Sequence, residues 1–165
     1  SSVCPTVWRF GGVGMKVFMG VNDIPYFGED GKYTTKAGID YFITTGQIAE
    51  WLEEGNKTMK AYGIMSHFLE KHGQMVADEI IQSYLDRLSG LSMNTEEFQQ
   101  MSEVKDKLCE FIRTKQMDGM VDGVPTKASL KGTSVRFKNK KGPPRPSFID
   151  SGLFFANLQV WADMS

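Results

Sequence analysis

The chain has 165 residues, 41% of them hydrophobic and 24% charged, with a net charge of −1. That length suits one domain around a single core, and the composition is ordinary for a globular protein. The near-zero balance excludes a generally basic nucleic-acid binder, and no apolar run approaches the roughly 18–20 residues of a membrane-spanning helix.

The N-terminus has no basic stretch leading into an apolar segment, so a soluble chain without an export signal is expected. Two cysteines, Cys4 and Cys109, lack CxxC spacing. They are too few for a disulfide framework or a thiolate metal site, and reduced structural thiols are the expectation. Ten methionines read as adaptable core filling, although methionine is also favoured at surfaces that fit several partners.

The first 45 residues read as strands and turns. Val13, Met15, Val17 and Met19 alternate as in a half-buried strand. Asp30-Gly31 between Ile24–Phe27 and Lys32–Thr35 predicts a hairpin turn. A helix is expected from Thr45, as cap, through Ile48, Trp51 and Leu52 to Gly55. From about Lys57 to Leu88, Met65, Phe68, Leu69, His72, Val76, Ile80 and Leu88 recur on one helical face. Gly63 and Gly73 within it each cost about 1 kcal/mol relative to alanine and mark possible breaks. Asn94 and Glu97 form a capping box for a further helix. Its stripe is Phe98, Met101, Val104, Leu108, Phe111 and Ile112, with Arg113 and Lys115 at its negative end. Asp118-Gly119 would end it, and two such helices joined by a short loop pack antiparallel.

Between Gly123 and Ile149 lie seven of the nineteen basic residues and no acid: Lys127, Lys131, Arg136, Lys138, Lys140, Lys141 and Arg145. Ser134–Lys138 reads as a short strand inside this stretch, and Pro143, Pro144 and Pro146 hold the chain extended. Leu158, Val160 and Ala162 then alternate with Gln159, Trp161 and Asp163 as a closing strand. The fold class that follows is α+β. An antiparallel sheet from N-terminal and C-terminal strands packs on two to three helices, with a long basic loop. One domain is expected, divided into strands and turns (1–45), helices (46–118), basic loop (119–147) and C-terminal turn and strand (148–165).

No catalytic, metal or cofactor centre emerges from the residues. Gly11-Gly12-Val13-Gly14 lacks the spacing of a dinucleotide fingerprint, and strand rather than helix follows it. His67 and His72 are five apart, whereas two ligands on one helical face need three or four. Phe148-Ile149-Asp150-Ser151-Gly152 matches the aspartic-protease motif, in which paired aspartates share a proton. That fold builds a flap and the rest of its sheet after the motif, and thirteen residues follow Gly152, so a turn held by Asp150 and Gly152 is the expectation.

The basic stretch has three readings: a solvated loop, a contact to nucleic-acid phosphate, or a docking element for an acidic protein surface, including another copy of the chain. Glu96, Glu97, Glu103, Asp106 and Glu110 on the preceding helix form such a surface. Phe137 is the one aromatic between Lys127 and Phe148, which argues against base stacking.

The segment Pro143-Pro144-Arg145-Pro146-Ser147-Phe148-Ile149-Asp150-Ser151-Gly152-Leu153, with Phe154-Phe155-Ala156-Asn157-Leu158-Gln159-Val160-Trp161 after it, resembles one found in neck proteins of tailed bacteriophages, the head–tail connector and tail-completion proteins. There a long helix precedes an extended loop, a Pro-x-x-Asp-Thr-Gly-x-Leu-like turn, and a short helical step into a strand. Ser151 stands where threonine is commoner, and Asn157 where serine is frequent. The match covers about twenty residues, so the rest of the sheet is expected from residues 1–45.

The resemblance implies a non-enzymatic virion protein forming a ring, six-fold in that group, at the head–tail junction or tail end. Its partners would be further connector and tail proteins, with non-specific contact to DNA in the lumen. A ring needs two different complementary patches on each subunit. The basic stretch, including Lys127, Lys131, Arg136, Lys138, Lys140, Lys141 and Arg145, and the acidic face of Glu96, Glu97 and Glu103 would supply them, with Asp150 and Gly152 in the joining turn. An extended stretch of roughly fourteen residues reaches about 46 Å, and it is expected to order on contact. The competing readings are a nucleic-acid-binding accessory protein using residues 127–145 and an aspartic-type hydrolase using Asp150.

Overall fold

The computed structural model describes residues 3–10, 15–26, 32–58, 60–91, 98–133, 142–149 and 153–163. Its centre is a four-stranded antiparallel sheet. The strands β1 (Val3–Phe10), β2 (Met15–Asn22), β5 (Phe98–Gln100) and β6 (Leu158–Asp163) lie in the order β1-β2-β6-β5. The last strand of the chain is therefore central, joined to β2 in a register that sets Val17 opposite Ala162 and Val21 opposite Leu158. Period-two alternation sends Val17, Met19 and Val21 from β2, and Leu158, Val160 and Ala162 from β6, into the core. On the opposite face the rings of Phe18 and Trp161 stack 5.6 Å apart at 6°.

Helices cover one side of this sheet. Helix α1 (Thr45–Glu54) starts one residue after its cap. Thr44 accepts from the Gln47 backbone and the Gln47 side chain accepts from the Thr44 N–H, a reciprocal pair that satisfies two orphan donors. Helix α2 spans Ile64–Leu88 rather than beginning near Lys57. Gly63 sits at φ +62 and accepts the His67 N–H from outside the helix. That left-handed residue stops the helical period, and the exposed N–H groups find a partner elsewhere. Glu53 of α1 accepts from the backbone of Met65 and Ser66, at 2.8 and 3.0 Å, and from the Ser66 hydroxyl at 2.6 Å. A carboxylate there satisfies the first-turn donors and meets the positive end of the helix. Gly73 is accommodated inside α2 without a break.

Helix α3 spans Ser102–Arg113, which shortens the expected helix at both ends. Phe98, read as its first apolar residue, lies in β5 instead, because β6 offers an open edge there: Gln99 pairs with Ala162, and Met101 N donates to Val160 O at 2.9 Å. The capping box at Asn94 and Glu97 falls outside the described residues. Val104, Leu108, Phe111 and Ile112 are buried as the stripe predicts. Phe68 meets Phe111 edge-on at 5.6 Å, and His72 Nε2 lies 2.9 Å from Gln116 Oε1 further along the chain. Early α2 thus faces late α3, the antiparallel arrangement expected. Met19, Met65, Met101 and Met117 are all core residues, which is the core-filling use of methionine.

The N-terminal hairpin differs from its expected form. The strand β3 (Lys32–Thr34) pairs with β4 (Asp40–Phe42), not with residues 24–26, and the turn runs through residues 35–39. Pro25 bridges Thr44 and Tyr26 N donates to Ile43 O, so both stretches pair with residues 40–44. The predicted Asp30-Gly31 turn lies outside the described residues. Among the described residues, no helix is long and apolar enough to cross a membrane.

Candidate interface: a clamped basic segment and an acidic helix face

The basic segment is not one extended arm. Residues Lys127–Lys131 form a short helix, α4, capped by Thr126, whose hydroxyl accepts from Ser129 N at 3.1 Å. A second strand of chain, residues 142–149, lies against it. Ser147 Oγ accepts from Thr126 N and lies 3.0 Å from Ser129 Oγ, while Ser129 Oγ donates to Thr126 O at 2.8 Å. Both serines are buried, and each hydroxyl has a partner, so the hydrogen bonds that hold the two stretches together offset the desolvation of those groups.

Gly132 closes this clamp. It takes φ +62, and a Cβ there would run into the backbone carbonyl of Gly142 and the backbone of Pro143. Gly142 N donates to Lys131 O at 3.4 Å. The two ends of the segment carrying Arg136, Lys138, Lys140 and Lys141 are therefore pinned side by side, and those four residues lie outside the described ones. The expected free arm is corrected at its C-terminal end, because residues 142–147 are held against α4.

Arg145 belongs to the clamp rather than to a docking surface. Its Nε donates to Ile149 O at 2.8 Å, its Nη2 to Thr133 O at 2.6 Å and its Nη1 to Ala128 O at 3.5 Å. Its backbone N–H donates to Ser129 O at 3.0 Å. One rigid guanidinium thus gathers carbonyls from both sides of the loop base, a task its fork of five donors suits. Lys127 and Lys131 are exposed. Downstream, Phe148 adopts φ +71 and packs edge-on against Tyr62 at 5.1 Å. A left-handed phenylalanine is uncommon, and the ring contact together with the turn from Pro146 O to Ile149 N holds it there. Asp150 and Gly152 lie outside the described residues. Beyond them the short helix α5 (Leu153–Ala156) leads directly into β6.

The acidic counterpart is carried by α3. Glu103 and Asp106 are exposed and Glu110 is half-exposed, at spacings of three and four on the face away from the core. Lys107 pairs with Glu110 at 3.4 Å on the surface. Glu96 and Glu97 lie outside the described residues. Glu103 meets Glu79 of α2 across a shallow polar groove of about 160 Å³, lined also by Ser83 and Gln99. A hydrogen bond to Glu103 raises the pKa of Glu79, with burial and the charges of Glu103 and Asp78 adding in the same direction. Gln99 Oε1 is buried in the same region without a partner among the described residues.

The remaining candidates occupy ordinary surroundings. His67 Nδ1 lies 2.8 Å from Gly63 O, and His72 sits against Phe68 and Phe111. Cys109 is half-buried, and burial raises its thiol pKa. Among the described residues, no group of three or more His, Cys, Asp and Glu side chains converges as a metal site.

Two apolar surfaces were not singled out in the sequence. The hairpin exposes Ile39, Tyr41 and Phe42, and the second half of α2 exposes Ile81, Tyr84, Leu85 and Leu88, with Leu91 just beyond. The α2 set had a sequence signal, apolar residues at i, i+3, i+4 and i+7. Leu88, assigned to the core face, is 67% exposed, because its face diverges from that of Val76 and Ile80. Compared with protein-family models, curated proteins and solved structures, the chain matches none.

Proposed function

We propose that this chain is a structural virion protein of a tailed bacteriophage, a ring-forming neck or tail-completion component that joins head and tail. The observation that supports the reading is the order of the last elements. After α2, β5, α3 and α4, a segment pinned at its base, a proline-rich turn and the short helix α5 lead into β6, an inner strand of the sheet. The turn, short helix and strand follow the order of the neck-protein segment which residues 143–161 resemble. The clamp around Arg145 would serve such a role by presenting Lys127, Lys131 and the loop between Thr133 and Gly142 from a fixed base. In a ring the basic loops would face the acidic side of α3 on a neighbour, or the phosphates of DNA in the lumen, and both contacts weaken with salt. The neighbouring proteins would be other connector and tail components.

The test is assembly in the producing phage. With the gene for this chain interrupted, separate heads and tails should accumulate, and the purified chain added back should restore joined particles. Normal infectious particles lacking the chain would refute the reading.

A further inference from the structure

Two residues other than glycine take a positive φ among the described residues, Lys115 at +60 and Phe148 at +71. Lys115 has a local cause. It follows the end of α3, where its N–H donates to Ile112 O at 3.2 Å and Gln116 N donates to Phe111 O at 3.2 Å. That double closure is a common way for a helix to end in a left-handed residue. Phe148 has no helix to close. It is the third residue of a turn in which Ile149 N donates to Pro146 O at 3.4 Å, the position where a left-handed turn calls for glycine or asparagine. A bulky ring there runs against the local rules.

The cause is tertiary. The Phe148 ring meets Tyr62 edge-on at 5.1 Å. Tyr62 is itself held at the α1–α2 junction, its N–H donating to Leu52 O at 2.8 Å. With Ser147, Phe148 closes a void of about 10 Å³ walled by Phe111, Ile112, Met117 and Val124, all of them buried. Two effects of similar size are therefore opposed at one residue. The left-handed backbone disfavours the turn roughly five- to thirtyfold for a residue with a Cβ. An edge-on aromatic pair favours it roughly two- to tenfold, and half burial of the ring adds a comparable factor.

We propose that Phe148 is a latch, and that the turn at residues 146–149 opens and closes as a unit. In one state the ring is seated and the backbone left-handed; in the other the ring is free and the backbone extended. With so small a gap, the open state holds on the order of a few per cent of molecules. The latch is wired to the clamp. Arg145 Nε donates to Ile149 O at 2.8 Å, and the same guanidinium holds Thr133 O at 2.6 Å. Turning the backbone at Phe148 moves the Ile149 carbonyl off Arg145, so opening loosens the group that gathers the ends of the basic segment. The α1–α2 junction is thereby coupled to the base of that segment. This coupling needs no ring and holds whether or not the chain assembles.

The experiment uses the full chain. Relaxation-dispersion NMR should find μs–ms exchange at the amides of Ser147, Phe148 and Ile149 and at Arg145 Nε, all with one shared rate. Tyr62→Ala removes the ring's seat and should raise the open population at least threefold. Phe148→Gly accepts the left-handed turn without a ring, so the exchange should vanish. That variant should also melt above Phe148→Ala, reversing the usual order of glycine and alanine. Both variants lack the same ring, so the lost packing cancels between them. Phe148→Ala melting at or above Phe148→Gly would show an unstrained backbone and overturn the latch. A wild-type turn without exchange, still silent in Tyr62→Ala, would overturn it as well. Exchange at the three amides with a rate unlike that of Arg145 Nε would break the coupling to the clamp.

Discussion

The basic segment and the β3–β4 hairpin invert the roles their sequences suggest. The segment has the look of an arm: four cations in eight residues, then prolines, no acid and few apolar anchors. Yet its ends are bound into the body by two buried serines, by the Gly132–Gly142 approach and by three bonds from Arg145. The hairpin has aromatic and β-branched residues that would suit a core, yet Ile39, Tyr41 and Phe42 are exposed. What makes an arm is the lack of tertiary anchors at its base, not the charge at its tip.

The sharpest way to break this comparison is Gly132→Ala. The new methyl would meet the Gly142 carbonyl in a left-handed conformation, so a loss of about 3 kcal/mol is expected in urea unfolding. A loss under about 1 kcal/mol would mean that the loop base yields. Next comes Arg145→Ala, which abandons three carbonyls and should cost about 2 kcal/mol. Lys127→Ala and Lys131→Ala, on exposed side chains, should stay within about 0.5 kcal/mol. Equal effects from all three would return Arg145 to the surface cations. Glu53→Ala should cost about 1 kcal/mol by uncapping α2; a melting temperature identical to wild type would show those donors satisfied by water.

The smallest effect concerns the acidic face. Folding raises the pKa of Glu79, chiefly through the hydrogen bond with Glu103. The stabilisation from the shared proton is fully present below the unfolded pKa of Glu79. It is lost as pH rises through the higher folded value. Glu79→Gln should therefore remove part of the pH dependence of stability in the carboxylate range and leave the neutral-pH chain no less stable. An NMR titration in which Glu79 ionises at or below an ordinary glutamate would contradict this.

Much of the fold was legible because local rules and tertiary packing agreed. Val17 and Met19, or Leu158, Val160 and Ala162, alternate at period two and are buried on one face. Val104, Leu108 and Phe111 recur at helical spacing and face the core. The failures fall where a distant partner outweighed a local pattern. Phe98 and Met101 fit a helical stripe, but the open edge of β6 took Phe98 into the ladder and the Met101 N–H onto Val160 O. The Lys57 start of α2 was overridden by Gly63 and by a cap reaching from Glu53, twelve residues before Met65. The candidate interface was legible as charge, whereas the anchoring of residues 142–149 against α4 depends on contacts from Thr126, Ser129 and Arg145.

From sequence alone came the α+β class, the closing strand, the helical core stripes and the separation of a basic segment from an acidic helix, since each is written in neighbouring residues through period and composition. Tertiary structure alone decided that Arg145 is a clasp, that Leu88 faces outward and that Ile39, Tyr41 and Phe42 of the hairpin stay exposed. Those outcomes depend on which carbonyls, edges and apolar faces remain unfilled after the core has closed, a property no stretch of neighbouring residues contains.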